Sequence, residues 1–130
     1  MTGATSRTSF EYFVLRCVPR VDREEFANVG VVVYSQGPGF LAAACDVRVD
    51  RLRALDPEVD VDAVCAALAT IEAVCRGDGS VGPAAAGTRR ERFGWLAAPR
   101  STVVQPGPIH AGLTDDPARE LTHLLATLVA

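Results

Sequence analysis

The chain has 130 residues, 48% of them apolar, with a formal net charge of -3 and a pI near 5.3. That length suits one domain with one core. The apolar content excludes disorder throughout, and the charge excludes a global basic field for nucleic acid.

The longest apolar run, about six residues, is roughly a third of a bilayer span, so no membrane crossing is expected. Residues 1–8 are small and polar and read as a flexible tail without the apolar core of a signal peptide. The expectation is a cytoplasmic protein with a single domain over 9–130. Cys17, Cys45, Cys65 and Cys75 are widely spread, form no CxxC pair and sit among apolar neighbours. They read as four reduced, core-type thiols. The histidines are His110 and His123, and no ligand pair has finger-like spacing, so no metal is expected.

Residues 10–18 alternate as a strand whose two faces are both largely apolar, which places it inside a sheet. Arg16 is the exception on it. Pro19 ends the strand, and a polar connection over 22–27 leads to a second strand over 28–34. This second strand is the most apolar, β-branched run, and it reads as the centre of the sheet. Gly30 inside it predicts a bulge or the close approach of another backbone. The turn Ser35-Gln36-Gly37-Pro38-Gly39 returns the chain into a third, antiparallel strand over 40–45.

Asp46 is a cap for a short helix carrying Val49, Leu52 and Leu55. Val61, Val64, Leu68, Ile71 and Cys75 then recur at steps of three and four, the spacing of a helix that Gly77 closes. Residues 77–87 have a flexible-loop composition. A basic cluster of Arg89, Arg90 and Arg92 precedes Trp95 and a fourth strand over 101–105, after which Pro106-Gly107-Pro108 turns the chain. Asp116 and Pro117 make a well-formed helix start, with Ala118, Leu121, Leu124, Leu125 and Leu128 on its core face. The pattern is α+β, a mostly antiparallel sheet of about four strands covered by about three helices.

No catalytic residue is assigned. There is no Walker loop, GxGxxG or HExxH, so no cofactor is expected, and whether the protein is an enzyme stays open. A Ser101, His110, Asp115 triad lacks the glycine pattern of a nucleophile elbow. The binding candidates are Arg92, Trp95, Arg100, Ser101, Thr102, Gln105 and His110 in one polar stretch, with Arg16, Glu25 and Asn28 beside the second strand. Arg forks suit phosphate or carboxylate, and Trp95 offers a stacking face, so an anionic ligand is the chemistry they suggest. The plain alternative is a basic loop, turn hydroxyls and solvated charges. If there is one site, Glu25 and Asn28 form one wall and Arg100 to Thr102 the other.

Two blocks carry a family resemblance. Tyr12-Phe13-Val14-Leu15-Arg16-Cys17-Val18-Pro19 with Arg23-Glu24-Glu25-Phe26-Ala27-Asn28-Val29-Gly30-Val31-Val32 is the first. Arg92-Phe93-Gly94-Trp95-Leu96-Ala97-Ala98-Pro99-Arg100-Ser101-Thr102-Val103-Val104-Gln105, on through His110 to Asp115-Asp116-Pro117, is the second. Together they resemble the bacterial family catalogued as domain of unknown function 3037, over almost the whole chain after the tail. That family usually has Gly-Glu where this chain has Glu24-Glu25, which weakens the case for a tight turn there. The resemblance brings no established activity. It implies an uncharacterised protein that is a small interaction or specificity partner of a HipA-like serine/threonine kinase. The alternative is a small enzyme or binder acting on a phosphorylated ligand or nucleic acid. A homodimer that pairs strand to strand through an exposed edge is a further expectation.

Overall fold

A computed structural model describes residues 7–130. The expected tail over 1–8 lies outside the described residues except for Arg7 and Thr8, and Thr8 already belongs to the sheet, opposite Thr114.

Strand β1 (Thr8–Cys17), rather than the second strand, is the organising element. It pairs along one side with β2 (Ala27–Ser35). Along its other side it pairs with β4 (Val104–Pro106) and β5 (His110–Thr114). β3 (Phe40–Cys45) extends the sheet beyond β2. The sheet has five strands in the order β3-β2-β1-β4, with β5 also on β1, and every pairing is antiparallel. The expected meander of the first three strands is present, and the expected fold class holds with one more strand and one more α-helix.

The extra strand has a physical cause. The chain does not turn away at Pro106-Gly107-Pro108. It continues along β1, with the register slipping by one residue between β4 and β5. Two prolines remove ladder donors there, which only an edge strand tolerates. Gly107 N–H spans the break by donating to Val14 O at 2.8 Å.

Helix α1 (Val49–Leu55) starts on Arg48 without a side-chain cap, so Asp46 is not its cap and instead pairs with Arg48. α2 (Val61–Arg76) is capped by Asp60, which accepts from Ala63 N, and is closed by Gly77. The expected loop over 77–87 contains two short 3-10 turns, Gly79–Val81 and Pro83–Ala85. The basic cluster is not a loop either. It opens α3 (Arg89–Ala97), started by a reciprocal Thr88–Glu91 capping box. α4 (Pro117–Leu128) begins on Asp116, as expected.

Two apolar layers result. On one face of the sheet, Phe13, Leu15, Cys17, Val32 and Tyr34 pack with α1, α2 and α3. On the other, Phe10, Val31 and Val33 pack with Leu121 and Leu124 of α4. The alternation along β1 and β2 assigns each side chain to its layer. The bulge foreseen from Gly30 is present: Leu15 faces Gly30 but Arg16 faces Asn28, leaving Val29 as the extra residue.

The connection before β2 holds a tight turn after all. Glu24 follows the 3-10 turn Val21–Arg23 with φ 57 and ψ 21, in the left-handed region. That backbone costs a non-glycine residue about 1–2 kcal/mol, more than the roughly 0.5–1 kcal/mol that glycine loses in chain entropy. Glu24→Gly is therefore expected to raise the unfolding free energy by about 0.5–1 kcal/mol in urea denaturation. A loss of stability would show that the side chain, not the turn, matters there.

Candidate functional site

The polar candidates separate onto opposite faces of the sheet. Arg16 lies opposite both Asn28 and Gln105 on the neighbouring strands, so these three form a cross-strand row on the α4 side. Arg100 and Thr102 line a depression with Ala67, Thr70, Ile71 and Trp95 on the α2 side. The two walls expected to face each other do not.

Three of these residues, Asn28, Arg92 and Arg100, tie down helix ends. Asn28 Nδ2 donates to Leu128 O at 3.0 Å, at the end of α4. Arg92 donates to Cys75 O at 3.2 Å, at the end of α2, and to Gly87 O at 2.8 Å. Arg100 stacks 4.5 Å from the centre of the Trp95 ring. It donates to Ala98 O at 3.2 Å and also to Trp95 O, closing α3. Burial holds the Arg100 pKa below its ordinary value. The last carbonyls of a helix have no intrahelical donors and carry partial negative charge, so cationic and amide donors belong there. Arg51 does the same for Val129 O at 2.8 Å, a brace the sequence did not signal.

Thr102 and Gln105 serve the turn before β4. Thr102 Oγ1 donates to Val104 O at 2.7 Å, and Gln105 Nε2 donates to Thr102 O at 2.9 Å. Ser101 is exposed. His110 is exposed on β5 and stacks on Tyr12 at 5.1 Å. Glu25 joins neither Arg16 nor Arg100. Arg23 donates to it at 2.6 Å and holds its carboxyl below the ordinary range. Both partners of that pair are exposed, where an ion pair contributes little.

Arg16 differs from all of these. Its guanidinium carbon sits 4.2 Å from the centre of the Phe26 ring. Its Nε, like that of Arg92, is buried and has no hydrogen-bond partner among the described residues, but Arg92 is anchored through its other nitrogens. It opens on a depression of about 280 Å³ lined by Arg16, Val18, Val21, Glu24, Phe26 and Gln105. Gly107 makes room for it: a Cβ there would stand 3.2 Å from Arg16 Nε and 3.3 Å from Cζ. Phe26 and Gly107 were not singled out by the sequence. The available signal was Phe26 itself, a large aromatic residue within a polar connection.

The four thiols are not alike. Cys17 and Cys75 are buried, whereas Cys65 is exposed on the outer side of α2, contrary to the core-type expectation. Burial pushes the thiols of Cys45 and Cys75 up to about 12 from an ordinary 9.0. Both stay protonated in the fold while the unfolded chain ionises. The stability they contribute is complete below 9.0 and is lost as pH rises toward 12. Urea denaturation should give a constant unfolding free energy up to about pH 8 and a decline above about pH 9, and Cys45→Ala/Cys75→Ala should flatten that decline. In the folded protein near pH 8, thiol reagents should label Cys65 first.

A five-stranded antiparallel sheet between helical layers, with helix ends held by side-chain donors from distant segments, defines an α+β module. The chain belongs to the family described as Protein of unknown function (DUF3037), whose family model matches residues 12–129. None of the curated proteins and none of the solved structures compared with the chain matches it. Among the described residues, no helix is long and apolar enough to cross a membrane.

Proposed function

We propose that this protein is a non-catalytic interaction module, with a HipA-like serine/threonine kinase as its cytoplasmic partner. The kinase comes from the family resemblance. The observation that supports an interaction role is the β5 edge. Ile109 and Leu113 are 48% and 61% exposed there. Gly112 packs under Phe10 on the α4 side, so Ala111 and Leu113 point to the opposite face, beyond the reach of α4. Ile109 lies beside Glu11, Arg90, Phe93 and Gly94 of that face. An exposed edge strand with apolar side chains can accept a strand from another chain, its backbone giving affinity and Leu113 and Ile109 giving contact area.

The alternative, a binder of phosphorylated ligands or nucleic acid, rests on the Arg89, Arg92, Arg100, Ser101 and Thr102 cluster; within it, Arg92 and Arg100 direct donors to backbone carbonyls, which favours the interaction reading. The test of the interaction reading is co-elution with a HipA-like kinase from the same genome at about 10 μM of each protein, a concentration that detects micromolar affinity. A stable complex with the wild type, lost in Leu113→Lys, is the expected result. Separate elution of kinase and wild-type protein would overturn the reading. A doubled solution mass of the protein alone, abolished by Leu113→Lys, would instead assign the edge to a homodimer.

A further inference from the structure

We infer that the depression at Arg16 binds a carboxylate carried on an apolar body. This goes beyond the interaction role at β5 and rests on separate residues.

A buried guanidinium nitrogen without a partner is costly, because its desolvation is not repaid by a hydrogen bond. Arg92 also has a buried Nε without a partner, but its two terminal nitrogens are anchored on Gly87 O and Cys75 O. Arg16 has no such anchor and no ion pair among the described residues. The fold nonetheless holds the group in place. Phe26 covers one side of it, and Gly107 leaves room for it where a Cβ would stand a tight 3.2 Å from Nε. Asn28 and Gln105 flank it on the adjacent strands, with their amide nitrogens already engaged by Leu128 O and Thr102 O. A planar guanidinium held in one orientation, with no hydrogen bond to its Nε among the described residues and its side chain lining the depression, matches the two oxygens of a carboxylate.

The lining sets the class of anion. Val18, Val21 and Phe26 are apolar, Arg16 is the cation, and Glu24 is the acid. Glu24 offsets the charge of Arg16, so the lining has no net charge and a second negative charge on the ligand gains no further attraction while costing more to desolvate. The apolar wall rewards a hydrocarbon body and gives inorganic anions nothing. A volume of about 280 Å³ suits a small acid or the last residue of a peptide, and these two sources present the same chemistry.

The test uses the whole chain labelled with nitrogen-15 and follows the Arg16 Nε–Hε signal and the amides of Phe26 and Gln105. The probes are phenylacetate, its neutral counterpart phenylacetamide, inorganic phosphate, and a Gly-Gly-Phe peptide with a free or an amidated terminus. The expected result is saturable movement of these signals with phenylacetate and with the free-acid peptide. The two neutral probes and phosphate should bind at least about tenfold more weakly. Arg16→Gln should weaken phenylacetate about tenfold or more, and Arg16→Lys should not restore it, because a lysine lacks the fork. Gly107→Ala, which disturbs the seat and leaves the charge, should weaken it as well. Phenylacetate binding as tightly as the peptide assigns the site to a free acid; a peptide about tenfold tighter assigns it to a chain terminus. No movement at about 20 mM phenylacetate, a concentration that reveals millimolar affinity, would overturn the inference. So would tighter binding of phosphate, or unchanged affinity in both Arg16→Gln and Gly107→Ala.

Discussion

Phe13→Ala is expected to remove about 3–5 kcal/mol of unfolding free energy, a large share of the roughly 5–15 kcal/mol a domain possesses. Phe13 is 0% exposed. It sits mid-way along β1 opposite Val32, and its ring lies 5.5 Å from that of Phe93, which in turn stacks 5.1 Å from Tyr34. One side chain therefore joins β1, β2 and α3. Deleting it leaves a cavity between a sheet and a helix that are both held by other contacts, so neither collapses to fill it. Urea denaturation with an unchanged slope would report the loss directly. A cost below about 1 kcal/mol would mean that α3 repacks freely on the sheet.

Gly30→Val is the second large effect, and its sign separates two explanations. Strand propensity alone predicts a gain of up to about 1 kcal/mol, since valine favours strands and glycine does not. The packing predicts the opposite. A Cβ at Gly30 would stand 2.9 Å from Ala44 O, 3.1 Å from Cys45 Sγ and 3.1 Å from Leu15 Cδ1. The nearest atom is backbone, held by the β2–β3 ladder in which Gly30 pairs with Cys45. It cannot retreat without opening that ladder. Gly30→Ala should cost about 1–3 kcal/mol and Gly30→Val more. Neutral or stabilising substitutions would mean that the third strand shifts easily.

Local signals explain what could be read before the coordinates. Gly30 is marked by being a glycine inside a β-branched run. The cap at Asp116 and the end of α2 at Gly77 each depend on residues close in sequence. So does the alternation that buries Phe13, Leu15 and Cys17. Composition misled where long-range partners decide. Arg89 to Ala97 looked like a basic loop because one face of α3 is highly charged; Phe93 and Leu96 supply its buried side. Pro106 and Pro108 looked like a turn, but edge pairing to β1 carries the strand past them.

The candidate site was legible by residue type and not by position. Arg, Asn and Thr serve equally for ligands and for helix ends. Nothing local tells which carbonyl Arg92 or Asn28 will reach, since Asn28 meets Leu128 a hundred residues away. Arg16 was visible as a charge on an apolar strand. That it stays unpaired depends on Phe26 and Gly107, which tertiary structure brings to it.

The central claim is that Asn28, Arg92 and Arg100 brace helix ends while Arg16 is held open. Urea denaturation of Asn28→Ala, Arg92→Ala, Arg100→Ala and Arg16→Gln, measured side by side, tests it most directly. The first three should each lose about 1–3 kcal/mol, with Arg100→Ala at the lower end because its bonds are exposed. Arg16→Gln should stay within about 0.5 kcal/mol of wild type, the lost stacking on Phe26 being offset by relief of an unpaired buried donor. Neutral substitutions at Asn28 and Arg92 together with a costly Arg16→Gln would contradict it.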